Sequence, residues 1–362
     1  MSPSFPLHME HCVRLKLGTQ PLLASSFEGH TVNAVRQGAG HLSNTSKHPI
    51  HWLDNGQQRL GLLPSLGGSV AAWQLLRRPT GVTGEATFGH MLDTPFHLWR
   101  PWSGGEDLYS TASFPLVPWS NRISAGGFEQ DGVFHALHPN REGEPFPIHG
   151  EGWLQPWQVS SASEQKIDMR LQSHAFLGSP YSFKATQRFA LKPDGIDQTL
   201  TVVHTGTQAL PYGLGQHPWL LRTPTTRIQA RVSGVWLNRA DGMPLEHTKR
   251  FKRDWDLSNS VSATGSPIDN VFTGWSGAAR IHWPDTGIYL TLDIAPSAET
   301  NPDEHCLIVY RPAAGLCFCM EPVTHPIDAV HLPGRPGLKT LRQGESISLH
   351  LRWRFGVHRD WA

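Results

Sequence analysis

Short alternating runs bounded by turn residues dominate this chain, and helical periodicity is scarce. In YSFKATQRFAL, residues Phe183, Ala185, Gln187, Phe189 and Leu191 fall on one face; KPDG (Lys192–Gly195) then forms a turn, and IDQTLTVVHTG returns. This predicts an antiparallel hairpin. A second hairpin is predicted over Ala278–Trp283 and Ile288–Ala295, turning at Asp285-Thr286-Gly287. SISLHLRWRFGV alternates Ile347, Leu349, Leu351 and Trp353 as a closing strand. IHWLDNGQQRLGLLPSLGGSVAAWQLL predicts opening strands around Asn55-Gly56, with a further turn at Gly67-Gly68. Many short strands at turn spacing imply an all-β, antiparallel β-sandwich or barrel with few short helices.

Composition agrees. The 35 Gly and 29 Pro in 362 residues disfavour long helices. Charged residues are 17% and the formal net charge is +1, which gives no reason to expect nucleic acid or an anionic membrane as partner. No apolar run reaches the roughly 18 residues of a membrane span. The N-terminus lacks a basic segment followed by an apolar one, so no signal peptide is expected. Cys12, Cys306, Cys317 and Cys319 show no zinc-site spacing; Cys317 and Cys319 share a strand face in LCFCM. Four reduced thiols in a cytoplasmic protein are expected. Residues 1–45 are the least patterned and are expected to be an N-terminal extension, with 46–362 as one domain.

Several residues could carry chemistry. His217 stands in LPYGLGQHPWLL, where it fits a packed core histidine as well as an acid or base. Gly213 and Gly215 before it would admit a ligand closely, and Pro218 after it would fix the chain. Arg122, in PWSNRI with Asn121, is a rigid fork of five donors suited to oxygen-rich ligands, or else a salt-bridge partner. His149 lies in PIHGEGW, either as a turn histidine or at a close approach allowed by Gly150. Asp269 in SPIDNVFTGW could be a turn former. Glu321 in GLCFCMEPVTHP follows an apolar strand, where a carboxylate is costly unless paired or used, and burial would strengthen it as a base. His135 and His138 in HALH resemble half a metal pair without a third ligand, so no metal is expected there. Trp219, Trp153 and Trp275 are alternatives for a stacking face, or simply core.

In order, PWSNRI, PIHG, YGLGQHPW, IDNVFTGW and MEPVTHPIDA resemble the aldose 1-epimerase (galactose mutarotase) family, from about Ile50 to about Val357. PIHGEGWLQPW and EPVTHPIDAVHLPGRPGL further resemble a bacterial subgroup of broad or uncharacterised specificity. The chain departs from the family's usual pattern after the His-Gly pair, and in having HPW rather than HPY at His217; these departures bear on the sugar. The resemblance implies a large β-sandwich with a sugar cleft, and interconversion of the α and β anomers of a free aldose. It implies Glu321 as general base, His217 as general acid and His149 as a second active-site histidine. Arg122 and Asp269 would hold sugar hydroxyls, with Asn121 and Trp219 also at the substrate, and no cofactor is implied. Two alternatives remain, beside a metal-dependent β-barrel enzyme that only the 21 histidines suggest. A hexose-6-phosphate 1-epimerase would need basic residues such as Arg77, Arg78, Arg100 or Arg141; a non-catalytic sugar-binding protein would need only the cleft.

Overall fold

The structure, a computed structural model, describes residues 47–81, 88–295 and 305–357. The expected N-terminal extension therefore lies outside the described residues, as does Cys12. Twenty-five strands, numbered in chain order, occur among the described residues, and the helical pieces are single 3₁₀ turns. No described helix is long and apolar enough to cross a membrane.

One sheet runs β1 (His51–Asp54), β2 (Gln58–Leu63), β3 (Ser69–Pro79), β4 (Phe88–Trp99), β14 (Trp219–Leu221), β23 (Cys317–Val323), β22 (Cys306–Arg311), β19 (Ile268–Thr273), β16 (Gly234–Asn238) and β17 (Pro244–Thr248). The short strands β5 (Pro115–Leu116) and β13 (Gly215–Gln216) attach beside β23. The other sheet runs β18 (Val261–Ser262), β15 (Arg227–Ala230), β20 (Ala278–Trp283), β21 (Ile288–Ile294), β25 (Ser346–Val357), β11 (Gly195–His204), β10 (Ser182–Lys192), β9 (Lys166–His174) and β8 (Gln158–Ala162). Two small ribbons complete the set: β6 (Gly127–Gln130) with β7 (Val133–Ala136), and β12 (Leu210–Tyr212) with β24 (Lys339–Leu341).

The strand patterns read from the sequence map onto this sandwich. β10 and β11 pair from Lys192 opposite Gly195 to Phe183 opposite His204. Phe183, Ala185, Phe189 and Leu191 are buried while Lys184, Thr186 and Arg188 are exposed. Gln187 also lies on the buried face, and its amide donates to the Gly68 carbonyl at 2.9 Å, which offsets its desolvation. The predicted second hairpin is β20–β21; its return strand ends at Ile294, one residue short of the expected Ala295, whose N–H still donates to the His350 carbonyl at 2.9 Å in line with the β25 pairing. The C-terminal run is β25, central in its sheet between β11 and β21.

Aromatic packing joins the sheets. Trp99 of β4 meets Trp73 of β3 edge-on at 5.2 Å and Trp353 of β25 edge-on at 5.2 Å, and none of the three is exposed. Such T-shaped pairs add to the burial of large apolar surface. Trp99→Ala would leave a cavity between the sheets. We expect it to lower unfolding free energy by about 3–5 kcal/mol in a urea titration; a loss below about 1 kcal/mol would show that Trp99 does not tie the layers together.

Candidate active site

Strand alternation sorts the residues of the first sheet onto two faces. Phe318 and Met320 of β23, Leu307 and Val309 of β22, and Leu220 of β14 join the main core. The intervening residues face the other way. On that outer face Asp269, Tyr310, Cys319 and Trp219 form one row across four strands, each opposite the next. Glu321 lies two residues further along β23, inside the strand rather than after it. Gly215 is opposite Val323 and Trp219 opposite Cys319, so the same register puts position 217 opposite 321. The result is direct contact: His217 Nε2 stands 3.5 Å from Glu321 Oε1.

Both groups are buried at the floor of a cavity of about 590 Å³. All seven residues singled out from the sequence line it: Glu321, His217, His149, Arg122, Asp269, Asn121 and Trp219. The imidazole of His217 is held by stacking. Phe114 lies at 4.5 Å and 26°, and Trp219 at 5.3 Å and 30°. The His217 backbone N–H donates to the Phe114 carbonyl at 3.0 Å. Glu321 Oε2 is buried with no hydrogen-bond partner among the described residues. Burial, and next the Asp269 carboxylate, push the Glu321 pKa well above the usual carboxylate range, while Arg122 pulls it down.

The other wall comes from loops. Asn121 and His149 both have left-handed backbones, with φ of 51° and 62°, a conformation that costs a non-glycine residue about 1–3 kcal/mol. They lock each other. The His149 N–H donates to the Asn121 carbonyl at 3.0 Å, and the Asn121 N–H donates to His149 Nδ1 at 3.3 Å. Because Nδ1 accepts, a neutral His149 carries its proton on Nε2. Arg122 both lines the cavity and forms the ion pair that its alternative reading called for. Its Nε and Nη2 reach Glu144 at 3.0 and 3.2 Å. Burial works against the Arg122 charge, but Glu144 more than offsets it and the guanidinium is held above its ordinary value.

One expectation needs correction, and two readings left open are decided. Gly213 and Gly215 make room for the protein itself rather than a ligand: a Cβ on Gly213 would come within 2.1 Å of the His325 ring, and one on Gly215 within 2.7 Å of Val323. Of the candidate stacking tryptophans, Trp153 and Trp275 are core, their indole N–H groups bonded to the Gly150 and Ala278 carbonyls. Trp219 alone of the three lines the cavity. Asp269 is on β19 and exposed, not in a turn.

The sequence offered no signal for Tyr109 and Tyr310, which also line the cavity. Tyr109 packs edge-on against His217 at 5.9 Å with the Arg141 guanidinium 3.7 Å over its ring. Arg100 sits 4.3 Å over Trp219 and donates to the carbonyls of Tyr109 and Thr111. A half-buried tyrosine without a surrounding motif cannot be told from core in one dimension. Arg100 and Arg141 also line the cavity. Arg77 and Arg78 instead bond the carbonyls of Gly56 and Thr286.

This antiparallel sandwich, with a buried carboxyl–imidazole pair on the outer face of one sheet, has the galactose mutarotase-like fold. A solved Escherichia coli K12 structure, whose own aldose 1-epimerase assignment is provisional, is 29% identical with a TM-score of 0.74, over 86% of this chain and 99% of that one. A GalM/aldose epimerase homologue from C. elegans shares the fold at 12% identity, with a TM-score of 0.68 over 86% of this chain and 99% of its own. The uncharacterised protein YphB of Escherichia coli K12 is 33% identical over 267 residues, 71% of this chain and 89% of YphB. The aldose 1-epimerase family pattern matches residues 100–354, and the chain belongs to that family.

The loop that holds His149 continues into Glu151, which is buried and accepts from the Ser179 hydroxyl at 2.9 Å. Burial pushes its pKa from 4.5 up to about 8. Between those values the folded chain binds a proton that the unfolded chain has lost, so stability falls as pH rises through that window and the loss is complete above it. Glu151→Gln removes this ionisation. We expect its urea midpoint to drop less than the wild type's between about pH 5 and pH 8; equal drops would mean that Glu151 stays solvated.

Proposed function

We propose that the protein is an aldose 1-epimerase that interconverts the α and β anomers of a free aldose by acid/base ring opening and closure. The observation that carries this reading is the 3.5 Å contact of His217 Nε2 with Glu321 Oε1 at the floor of the cavity. The anomeric carbon bears two oxygens, the ring oxygen and the C1 hydroxyl. Opening removes the hydroxyl proton and delivers a proton to the ring oxygen. The two oxygens share one carbon, so the acid and base work best side by side rather than across the ring.

With Glu321 as carboxylate and His217 as imidazolium, ring opening leaves a protonated Glu321 and a neutral His217. The open-chain aldehyde rotates about C1–C2. Closure from the other face runs the same transfers backwards and restores the pair. The resting and intermediate states differ only in where one proton sits, so the cycle needs no exchange with solvent. The raised pKa of Glu321 makes its carboxylate, once ionised, a stronger base than an ordinary surface carboxylate. His149 Nε2–H would donate to an oxygen at the anomeric centre. Arg122, Asn121 and Asp269 would hold ring hydroxyls, and Trp219 would both line the sugar and keep the imidazole in place.

An uncharged sugar fits the ion pairing of the cavity. Arg122 is paired with Glu144 at 3.0 Å and Arg141 with Asp107 at 3.5 Å, so neither brings an uncompensated charge to a phosphate, and the third lining arginine, Arg100, is committed to the Tyr109 and Thr111 carbonyls and the face of Trp219. Polarimetry of freshly dissolved α-glucose, α-galactose, xylose, arabinose and a hexose 6-phosphate tests the substrate class. Glu321→Gln and His217→Asn should each lose about 10²–10⁴-fold in rate while folded. His149→Asn should lose less, and Arg122→Ala should act mainly on KM. Full activity in Glu321→Gln or His217→Asn would overturn the role given to that residue.

A further inference from the structure

The acid/base pair has a third neighbour that the proposed reaction does not use. Cys319 precedes Glu321 by two residues on the same face of β23 and lies opposite Trp219. It is a buried thiol that forms no disulfide. A ring nitrogen of His217, the sulfur of Cys319 and a carboxylate oxygen of Glu321 all lie within 4.8 Å of one another. A tetrahedral zinc ion, with bonds of about 2.0–2.3 Å, places its donor atoms roughly 3.4 Å apart. Closing the triangle needs a contraction of up to roughly 1.4 Å, for which the Glu321 side chain, with its χ rotations, is the adjustable member while stacking holds the His217 ring. Glu321 brings a second, independent feature: its Oε2, at the cavity floor, is buried and has no hydrogen-bond partner among the described residues.

We propose that His217, Cys319 and Glu321 form a binding site for a thiophilic divalent cation such as Zn²⁺, with the fourth coordination position open to the cavity. One nitrogen, one thiolate sulfur and one carboxylate oxygen suit borderline-soft zinc and not magnesium or calcium, which take oxygen ligands. On binding, the ion forms a bond to sulfur and the thiol proton leaves to solvent; no electron is transferred. The site is not a cofactor site. The ion occupies the two groups the acid/base reaction needs, so it acts as a reversible inhibitor. That effect on turnover rests on the acid/base reading above, but the binding itself does not.

Co²⁺ is the probe that separates the two, because a cobalt–thiolate bond gives a near-ultraviolet charge-transfer band whether or not the protein turns over sugar. The full chain titrated with Co²⁺ should develop that band to one equivalent, and Zn²⁺ should displace it. Cys319→Ala and Cys319→Ser should lose the band, while Cys317→Ala, one strand repeat away, should keep it. Glu321→Gln should bind Co²⁺ at least about tenfold more weakly. In polarimetry, Zn²⁺ should stop the wild type and a chelator should restore it. Cys319→Ala should keep its basal rate and need at least about tenfold more Zn²⁺ for half-inhibition. Circular dichroism of each variant guards against misfolding. Absence of the band in the wild type, or its survival in both folded Cys319 variants, overturns the site. A protein that shows the band but no mutarotation keeps the site and overturns the proposed function instead.

Discussion

A carboxyl group on the outer face of a β-sheet, withdrawn from water and set opposite an imidazole, is the constraint on which the rest of the cavity depends. Glu321 could not stay buried on an apolar strand without a reason, because desolvation alone makes its charged form costly. The pairing of β13 and β14 with β23 supplies the neighbour. Gly215 and Trp219 sit in register with Val323 and Cys319, and Pro218 between them has no N–H to give the ladder. His217 is left facing Glu321. Phe114 and Trp219 then hold the ring at its place from the sides.

The loops build on that pair without sharing its strand register. Asn121 and His149 accept an unfavourable backbone and secure each other through two hydrogen bonds. Neither is glycine, so their side chains reach the cavity from a conformation that glycine would have adopted more easily but with nothing to present. This is where local strain and chemistry coincide, and the main-chain contacts around it, such as the Glu151 N–H to the Val117 carbonyl at 2.9 Å, keep it in place.

Much of the sandwich was legible in one dimension because alternation is a local property. The face of β10, the hairpin of β20 and β21, and the buried positions of β25 can all be read two residues at a time. The site was legible for a different reason: its residues sit in short motifs whose order resembles a family, although each fragment is weak alone. What could not be read was distance. Nothing in LPYGLGQHPWLL says that His217 lies opposite Glu321, since register is set by pairing between segments about a hundred residues apart. The same gap hid Tyr109 and Tyr310. It also misassigned Gly213 and Gly215, whose missing side chains accommodate His325 and Val323 from distant parts of the chain.

Arg122 shows what the pairing of charges does to recognition. A guanidinium bound through two nitrogens to Glu144 brings its counter-ion with it, and at a distance the two cancel. Such a group exerts little pull on a ligand still in bulk solvent. What it keeps is direction: fixed N–H bonds that matter only once an oxygen is within contact range. Recognition by Arg122 is therefore short-ranged, a matter of shape and contact rather than of long-range steering.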